Sequence, residues 1–190
     1  MTKVLVLDNY DSFTYNLVHL LRELGVSDLT VARNDKITLH AVSEFDKIVL
    51  SPGPGIPNEA GIMPEVVRKF APTKSILGVC LGHQCIGEVF GGKLVNMGQP
   101  VHGKAIVTTV TEPHERLFGS VPRQFLAGRY HSWLVARDGF PTTLAITAMD
   151  EKGDIMALRH REYNVTGVQF HPESVLTEHG ATIMRNWLER

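Results

Sequence analysis

Cysteine is scarce in this 190-residue chain: there are two, Cys80 and Cys85. They lie too close together to staple a fold, and two cysteines do not make a disulfide framework. Each therefore needs its own explanation. Net charge is nearly absent, with 19 basic residues against 20 acidic ones. Such a balance leaves no electrostatic footprint for nucleic acid or an anionic membrane. No apolar run approaches the roughly 18 residues that span a bilayer. The N-terminus has no basic patch followed by an apolar core and starts directly on a strand pattern, so no signal peptide is read and a cytoplasmic protein is expected. Repeats, low-complexity tracts and linkers are also missing, and the expectation is one domain over residues 1–190. Apolar residues are plentiful at 43%, enough to bury a sizeable core.

Those residues are ordered in a recognisable rhythm. Lys3 to Asp8 reads as a buried strand. Ser12 to Leu24 sets Phe13, Leu17, Leu20, Leu21 and Leu24 at helical spacing, with Gly25 as the stop and Asp11 or Ser12 as a cap. Strands are expected at Leu29 to Ala32, Lys47 to Leu50 and Ser75 to Val79, and helices at Pro64 to Ala71 and Leu81 to Phe90. Strands alternating with helices predict an α/β fold with a mainly parallel central sheet flanked by helices. Later, Ala105 to Thr111 and Thr143 to Ala148 are β-rich. Ile155 to Arg159 and Val165 to Phe170 form a strand pair across Glu162-Tyr163-Asn164, and Thr177 to Leu188 is a closing helix. In open α/β sheets the functional crevice lies at the carboxyl ends of strands. Those ends are Asp8, Leu50, Cys80 and His171.

Gly78-Val79-Cys80-Leu81-Gly82 follows a strand and opens a helix. Glycines two before and two after a nucleophile permit a sharp strand-to-helix turn that pushes the side chain into the open, here with cysteine in the nucleophile's place. A helix N-terminus favours the thiolate, the reactive form. The competing reading is a small buried hydrophobe. A cysteine nucleophile needs a base and a group to orient it. Phe170-His171-Pro172-Glu173 supplies both at a strand end, with Glu173 able to hold the imidazole through a backbone bend or a direct hydrogen bond. His19, His40, His114 and His179 read as surface or satisfied core residues.

Ser51-Pro52-Gly53-Pro54-Gly55 is either an ordinary tight loop or a source of oxyanion donors. Prolines have no N–H, so the candidates are the N–H groups of Leu81 and Gly55, with Gly53 behind. Cys80, His83 and Cys85 are potential metal ligands but lack a Cys-x-x-Cys pair or a second cluster, so no metal is expected. Their spacing also disfavours a redox pair, and Cys85 reads as core.

Together these residues resemble a known family. Gly-Val-Cys-Leu-Gly-His-Gln (78–84), Gln-Phe-His-Pro-Glu-Ser (169–174) and Ser-Pro-Gly-Pro-Gly (51–55) are similar to the three signatures of class I (triad) glutamine amidotransferases. Residues 7–17, Leu-Asp-Asn-Tyr-Asp-Ser-Phe-Thr-Tyr-Asn-Leu, resemble more narrowly the glutaminase subunits of anthranilate synthase and 4-amino-4-deoxychorismate synthase. The resemblance spans essentially the whole chain, including Gly103-Lys104 and Arg129-Tyr130-His131-Ser132. It implies the flavodoxin-like amidotransferase fold. It also implies that Cys80 attacks the side-chain amide of L-glutamine, that His171 moves the proton and that Glu173 orients His171. Gln84, Gly53 and Gly55 match substrate contacts, as do Ser132 and Trp133 through their backbone. No cofactor is implied. The implied partner is a chorismate-using synthase subunit, with the opening motif and His102-Gly103-Lys104 near its interface; by residue type alone both segments are turns.

Two positions depart from the family pattern. Cys85 stands where alanine or serine is common, and Trp133 where leucine or phenylalanine is usual. Neither departure falls on a triad residue. The competing functions are the glutaminase of a secondary-metabolite synthase, a freestanding cysteine hydrolase on a related fold and a non-catalytic regulatory protein. The intact Cys80, His171 and Glu173 argue against the non-catalytic reading.

Overall fold

The computed structural model describes residues 2–190. In chain order the elements are β1 (Val4–Asp8), α1 (Thr14–Glu23), β2 (Leu29–Arg33), α2 (Leu39–Val42), β3 (Lys47–Leu50), α3 (Met63–Phe70), β4 (Ser75–Val79), α4 (Leu81–Val89), β5 (Leu94–Val110), β6 (Gln124–Val135), β7 (Leu144–Asp150), β8 (Ile155–His160), β9 (Val165–Val168) and α5 (Gly180–Leu188). They build one sheet in the order β2-β1-β3-β4-β9-β8-β7-β5-β6. The pairings from β2 to β9 are parallel and those from β9 to β6 antiparallel. The expected parallel sheet is thus present in the half built from the first strands and β9. An antiparallel extension follows it.

Helices cover both faces of the parallel half because its strands are apolar on both sides. Along β1, Val4 and Val6 face a core shared with Leu17 and Leu21 of α1 and Ile183 and Trp187 of α5. Leu5 and Leu7 face the opposite core, with Val66 and Phe70 of α3 and Leu81, Cys85 and Ile86 of α4. The strand period of two sends alternate residues to opposite helical layers. Among the described residues no helix is long and apolar enough to cross a membrane.

Register brings the functional strand ends together. Leu7 pairs with Leu50, Leu50 with Gly78, and Gly78 with Gly167. These four residues form one row across the sheet. Residues just beyond the row emerge side by side, at the roughly 4.8 Å spacing of neighbouring strands. They are Asn9, Ser51, Cys80 and the segment leading to His171.

Several boundaries differ from expectation for local reasons. Helix α1 begins at Thr14, and its N-cap is Phe13, which lends no side-chain acceptor. The preceding turn is held instead by Asp8, whose Oδ1 accepts the Tyr10 N–H and the Thr14 hydroxyl at 3.0 and 2.8 Å. Asp11 accepts the Phe13 N–H at 2.8 Å, so it steadies the turn without capping the helix. Helix α5 starts at Gly180 rather than Thr177, because the Thr177 hydroxyl donates to the His171 carbonyl and His179 is left-handed at φ 58°. His102-Gly103-Lys104 lies inside β5 as a bulge, with Gly103 at φ 63°, and is not a turn.

Candidate active site

Cys80 sits between β4 and α4 at φ 53° and ψ −99°, a conformation that costs energy for any residue with a β-carbon. The surrounding structure enforces it. A β-carbon on Gly78 would collide with the Gly82 carbonyl, and one on Gly82 would lie 2.5 Å from the Leu50 carbonyl oxygen. The flanking glycines are therefore steric requirements of the elbow. The Cys80 N–H is tied to the Val168 carbonyl at 2.9 Å. Leu81 is the first residue of α4, so its N–H has no intrahelical acceptor. Cys85 is fully buried one turn further on, and burial pushes its thiol far up; it is a core residue.

Beyond β9 the chain turns sharply, and the Ser174 N–H closes the turn on the His171 carbonyl at 3.1 Å. The turn brings Glu173 Oε1 to 2.7 Å from His171 Nδ1, with both side chains buried. The imidazole also meets the Phe13 and Tyr130 rings edge-on, at centroid distances of 5.0 and 4.8 Å. Tyr130 is braced in turn by Ser174, 3.0 Å from its hydroxyl. Nε2 of His171 is buried without a well-formed hydrogen bond, and the neighbouring Cys80 thiol is one of the groups that hold the ring's pKa up. Burial alone would lower the His171 pKa. Interaction with Cys80 and Glu173 outweighs it and holds the ring up at about 10. A protonated imidazole beside a thiol at a helix N-terminus is an arrangement able to deliver a thiolate to a carbonyl carbon.

The loop after β3 is buckled to the opening motif. The Asn9 N–H donates to Ser51 Oγ at 2.9 Å and its side-chain amide to the Ser51 carbonyl at 2.8 Å. Asn34 completes the clasp by donating to Asn9 Oδ1 at 2.9 Å. Asn9 is thus a buried fastener and not merely part of a polar turn. Gly53 packs so tightly that a β-carbon would lie 2.6 Å from the Asn9 β-carbon. Gly55 takes φ 73°, and a β-carbon there would run into the Glu59 carboxylate.

These segments enclose a pocket of about 510 Å³. Tyr10 to Ser12 form one side and Gly53 to Gly55 another; Cys80 and Gln84 rise from α4, and Tyr130 to Trp133 come from β6. His102 of β5 lines the mouth. The volume suits a small, amino-acid-sized ligand. Every residue singled out for glutamine contact is brought to this one cavity; Leu81 lies directly behind Cys80.

One residue lies inside the Gln-Phe-His-Pro-Glu-Ser motif but is given no role by it. Gln169 is fully buried in the segment after β9, and its Nε2 lies 3.6 Å from Cys80 Sγ. Its Oε1 accepts from Gln84 Nε2 at 3.3 Å, and Gln84 Nε2 also donates to the Trp133 carbonyl at 3.0 Å. His131 Nδ1 reaches that same carbonyl at 3.1 Å. Helical spacing marks Phe13 only as a helix-face apolar residue, yet it walls the imidazole. Both lie inside motifs that carry the family resemblance, at 169–174 and 7–17, but no pattern in those motifs marks their contacts with Cys80 and His171.

The family model for glutamine amidotransferase class-I matches residues 5–190. Anthranilate synthase component 2 of Pyropia yezoensis is 44% identical over 98% of both chains. The aminodeoxychorismate/anthranilate synthase component 2 of Bacillus subtilis (strain 168) is 44% identical over 98% of this chain and 95% of its own. The crystal structure of a candidate GMP synthase protein from Thermoplasma acidophilum superimposes with TM-score 0.88 at 28% identity, over 100% of this chain and 93% of that one. With the family model matched from β1 to the last residue, the chain belongs to the class-I glutamine amidotransferases.

Proposed function

We propose that this chain, acting as a single amidotransferase domain, is the glutaminase subunit of a chorismate-using synthase. It hydrolyses L-glutamine to glutamate and ammonia and hands the ammonia to a partner that makes anthranilate or 4-amino-4-deoxychorismate. One observation carries the chemistry: Cys80, held at a strained elbow on the pocket, is coupled to the buried His171–Glu173 pair. The names of the near-full-length relatives support the choice of partner.

In this reading Cys80 sulfur attacks the glutamine amide carbon. The tetrahedral oxyanion is met by the N–H groups of Leu81 and Gly55. His171, kept protonated by its two neighbours, gives its proton to the departing nitrogen. Ammonia leaves and a γ-glutamyl thioester remains. Water then adds to the thioester with His171 as base, which releases glutamate and restores the thiol. Gly53, Gln84 and the backbone of Ser132 and Trp133 hold the substrate. No cofactor enters the scheme.

The test is glutamate formation from glutamine by the chain alone, with a chorismate-using synthase, and with synthase plus chorismate. The proposal expects a low rate alone and a rise of several-fold or more in the full complex. Absence of glutamate in all three conditions overturns it. Release of products from peptides instead would establish a freestanding hydrolase.

A further inference from the structure

We propose that Gln169 is a further catalytic residue: a buried hydrogen-bond chain of fixed polarity aims its amide N–H at the Cys80 sulfur and stabilises the thiolate. The inference rests on Cys80 being the nucleophile.

The polarity follows from groups that have no choice. Arg129 Nε can only donate, and it lies 3.0 Å from His131 Nε2. That nitrogen must accept, so the proton of the neutral ring is on Nδ1, which donates to the Trp133 carbonyl at 3.1 Å. Arg129 is itself fixed by an ion pair with Asp150, both side chains being almost wholly buried. The Trp133 carbonyl can only accept, so the Gln84 atom 3.0 Å away is its NH2. The other N–H of that group reaches Gln169 Oε1 at 3.3 Å. Gln169 therefore presents its own NH2 to Cys80 Sγ at 3.6 Å, a separation that suits the large radius of sulfur. Flipping the Gln169 amide would set two NH2 groups against each other and turn a carbonyl oxygen toward the sulfur. The amide orientations are thus dictated by the network.

An N–H aimed at sulfur gains strength when the sulfur becomes negative, because a charge-assisted hydrogen bond is roughly twice as strong as a neutral one. It favours the thiolate both before attack and when the thioester is hydrolysed and sulfur leaves. Other ionisable groups around the site are His171 after β9, with Glu173 behind it, Asp11 from the loop before α1, His83 on α4 and His131 on β6. All of these side chains are retained when Gln169 alone is substituted, so the variant differs from the parent at the amide that faces the thiol.

The experiment is the pH dependence of Cys80 carboxamidomethylation by iodoacetamide, read by mass spectrometry of the Cys80 peptide in the intact chain. Gln169→Met removes the donor with an unbranched side chain of similar length. Gln84→Met leaves Gln169 in place but removes the donor that sets its polarity. Gln169→Met is expected to move the profile to higher pH and to slow alkylation about 3- to 10-fold on the acid side of the transition, a displacement of roughly half to one pH unit. Gln84→Met is expected to produce a smaller displacement in the same direction, and it tests the proposal even if Gln169→Met does not fold. A parent-like profile for folded Gln169→Met overturns the catalytic assignment. A parent-like profile for Gln84→Met overturns the fixed polarity. A parent Cys80 that resists alkylation altogether overturns the nucleophile reading and this inference with it, whereas a reactive parent with unaltered variants overturns the inference alone.

Discussion

Glu173 Oε1 lies 2.7 Å from His171 Nδ1 although a single proline separates the two residues in the chain. The contact is made by a tight turn, in which Pro172 and the Ser174 N–H fix the backbone so that both side chains point inward. Glu173 is in this account an orienting group, while His171 carries the proton. Glu173→Ala is therefore expected to reduce glutamine turnover less than His171→Ala does. Loss of a positioned acid–base group typically costs about 10²–10⁴-fold, and members of one unit are not additive. Steady-state glutamate production by the two folded variants decides it; a Glu173 variant slower than the His171 variant reverses the roles.

Gly55 and Cys85 offer a second contrast, because one lines the pocket and the other lies in the core. Gly55→Ala forces a β-carbon into φ 73° and against the Glu59 carboxylate. Loss of one oxyanion donor is worth about 10²–10³ in kcat, and a fall of that order is expected. Cys85→Ala trims a buried side chain on the far side of α4 and should leave kcat near the parent's. Parental kinetics in both variants would remove Gly55 from the oxyanion site.

Stability should peak near pH 6.5, because buried histidines pull in opposite directions on either side. His83 is fully buried, without a well-formed hydrogen bond at either ring nitrogen, and burial pushes its pKa down to about 4. Burial, with the charge of Arg129, pushes His131 down to about 3. Both rings stay neutral in the fold but bind protons once unfolded, so stability is lost as pH falls from 6.5 through these values. Each group contributes up to about 1.4 kcal/mol per pH unit. His171 has the opposite sign: its raised pKa gives stability that is full below 6.5 and lost as pH rises through about 10. Thermal melts across pH should show His83→Leu flattening the acid limb and sparing the alkaline one. An acid limb unchanged by that substitution contradicts the assignment.

The elbow, the His-Pro-Glu turn and the Pro-Gly loop are legible in sequence because each is a local steric device. Gly78 and Gly82 are needed by atoms within a few residues or on the next strand, and Pro172 sets a turn two residues long. The parallel strands are legible because they are apolar on both faces. Strand β5 shows in sequence only over its last third. Its first residues are largely exposed and pair only with β6, so they carry no hydrophobic alternation. Strand β6 shows as a motif and not as an element, and the four-residue α2 is too short for a period to show. Gln169 is legible as part of a motif, but its role is not. Its meaning depends on Gln84, 85 positions away, and on the direction of an amide that no local pattern encodes.

If this chain supplies ammonia through Cys80 to a separate synthase, one substitution separates the two halves of the reaction. Cys80→Ala, assembled with a chorismate-using synthase, is assayed for aminated product with glutamine and then with free ammonia. Without the thiol no thioester can form, while added ammonia bypasses the glutaminase. Glutamine-dependent synthesis is expected to disappear while ammonia-dependent synthesis stays at the parent's rate. Equal loss of both activities in an intact complex, or survival of the glutamine-dependent one, would contradict it.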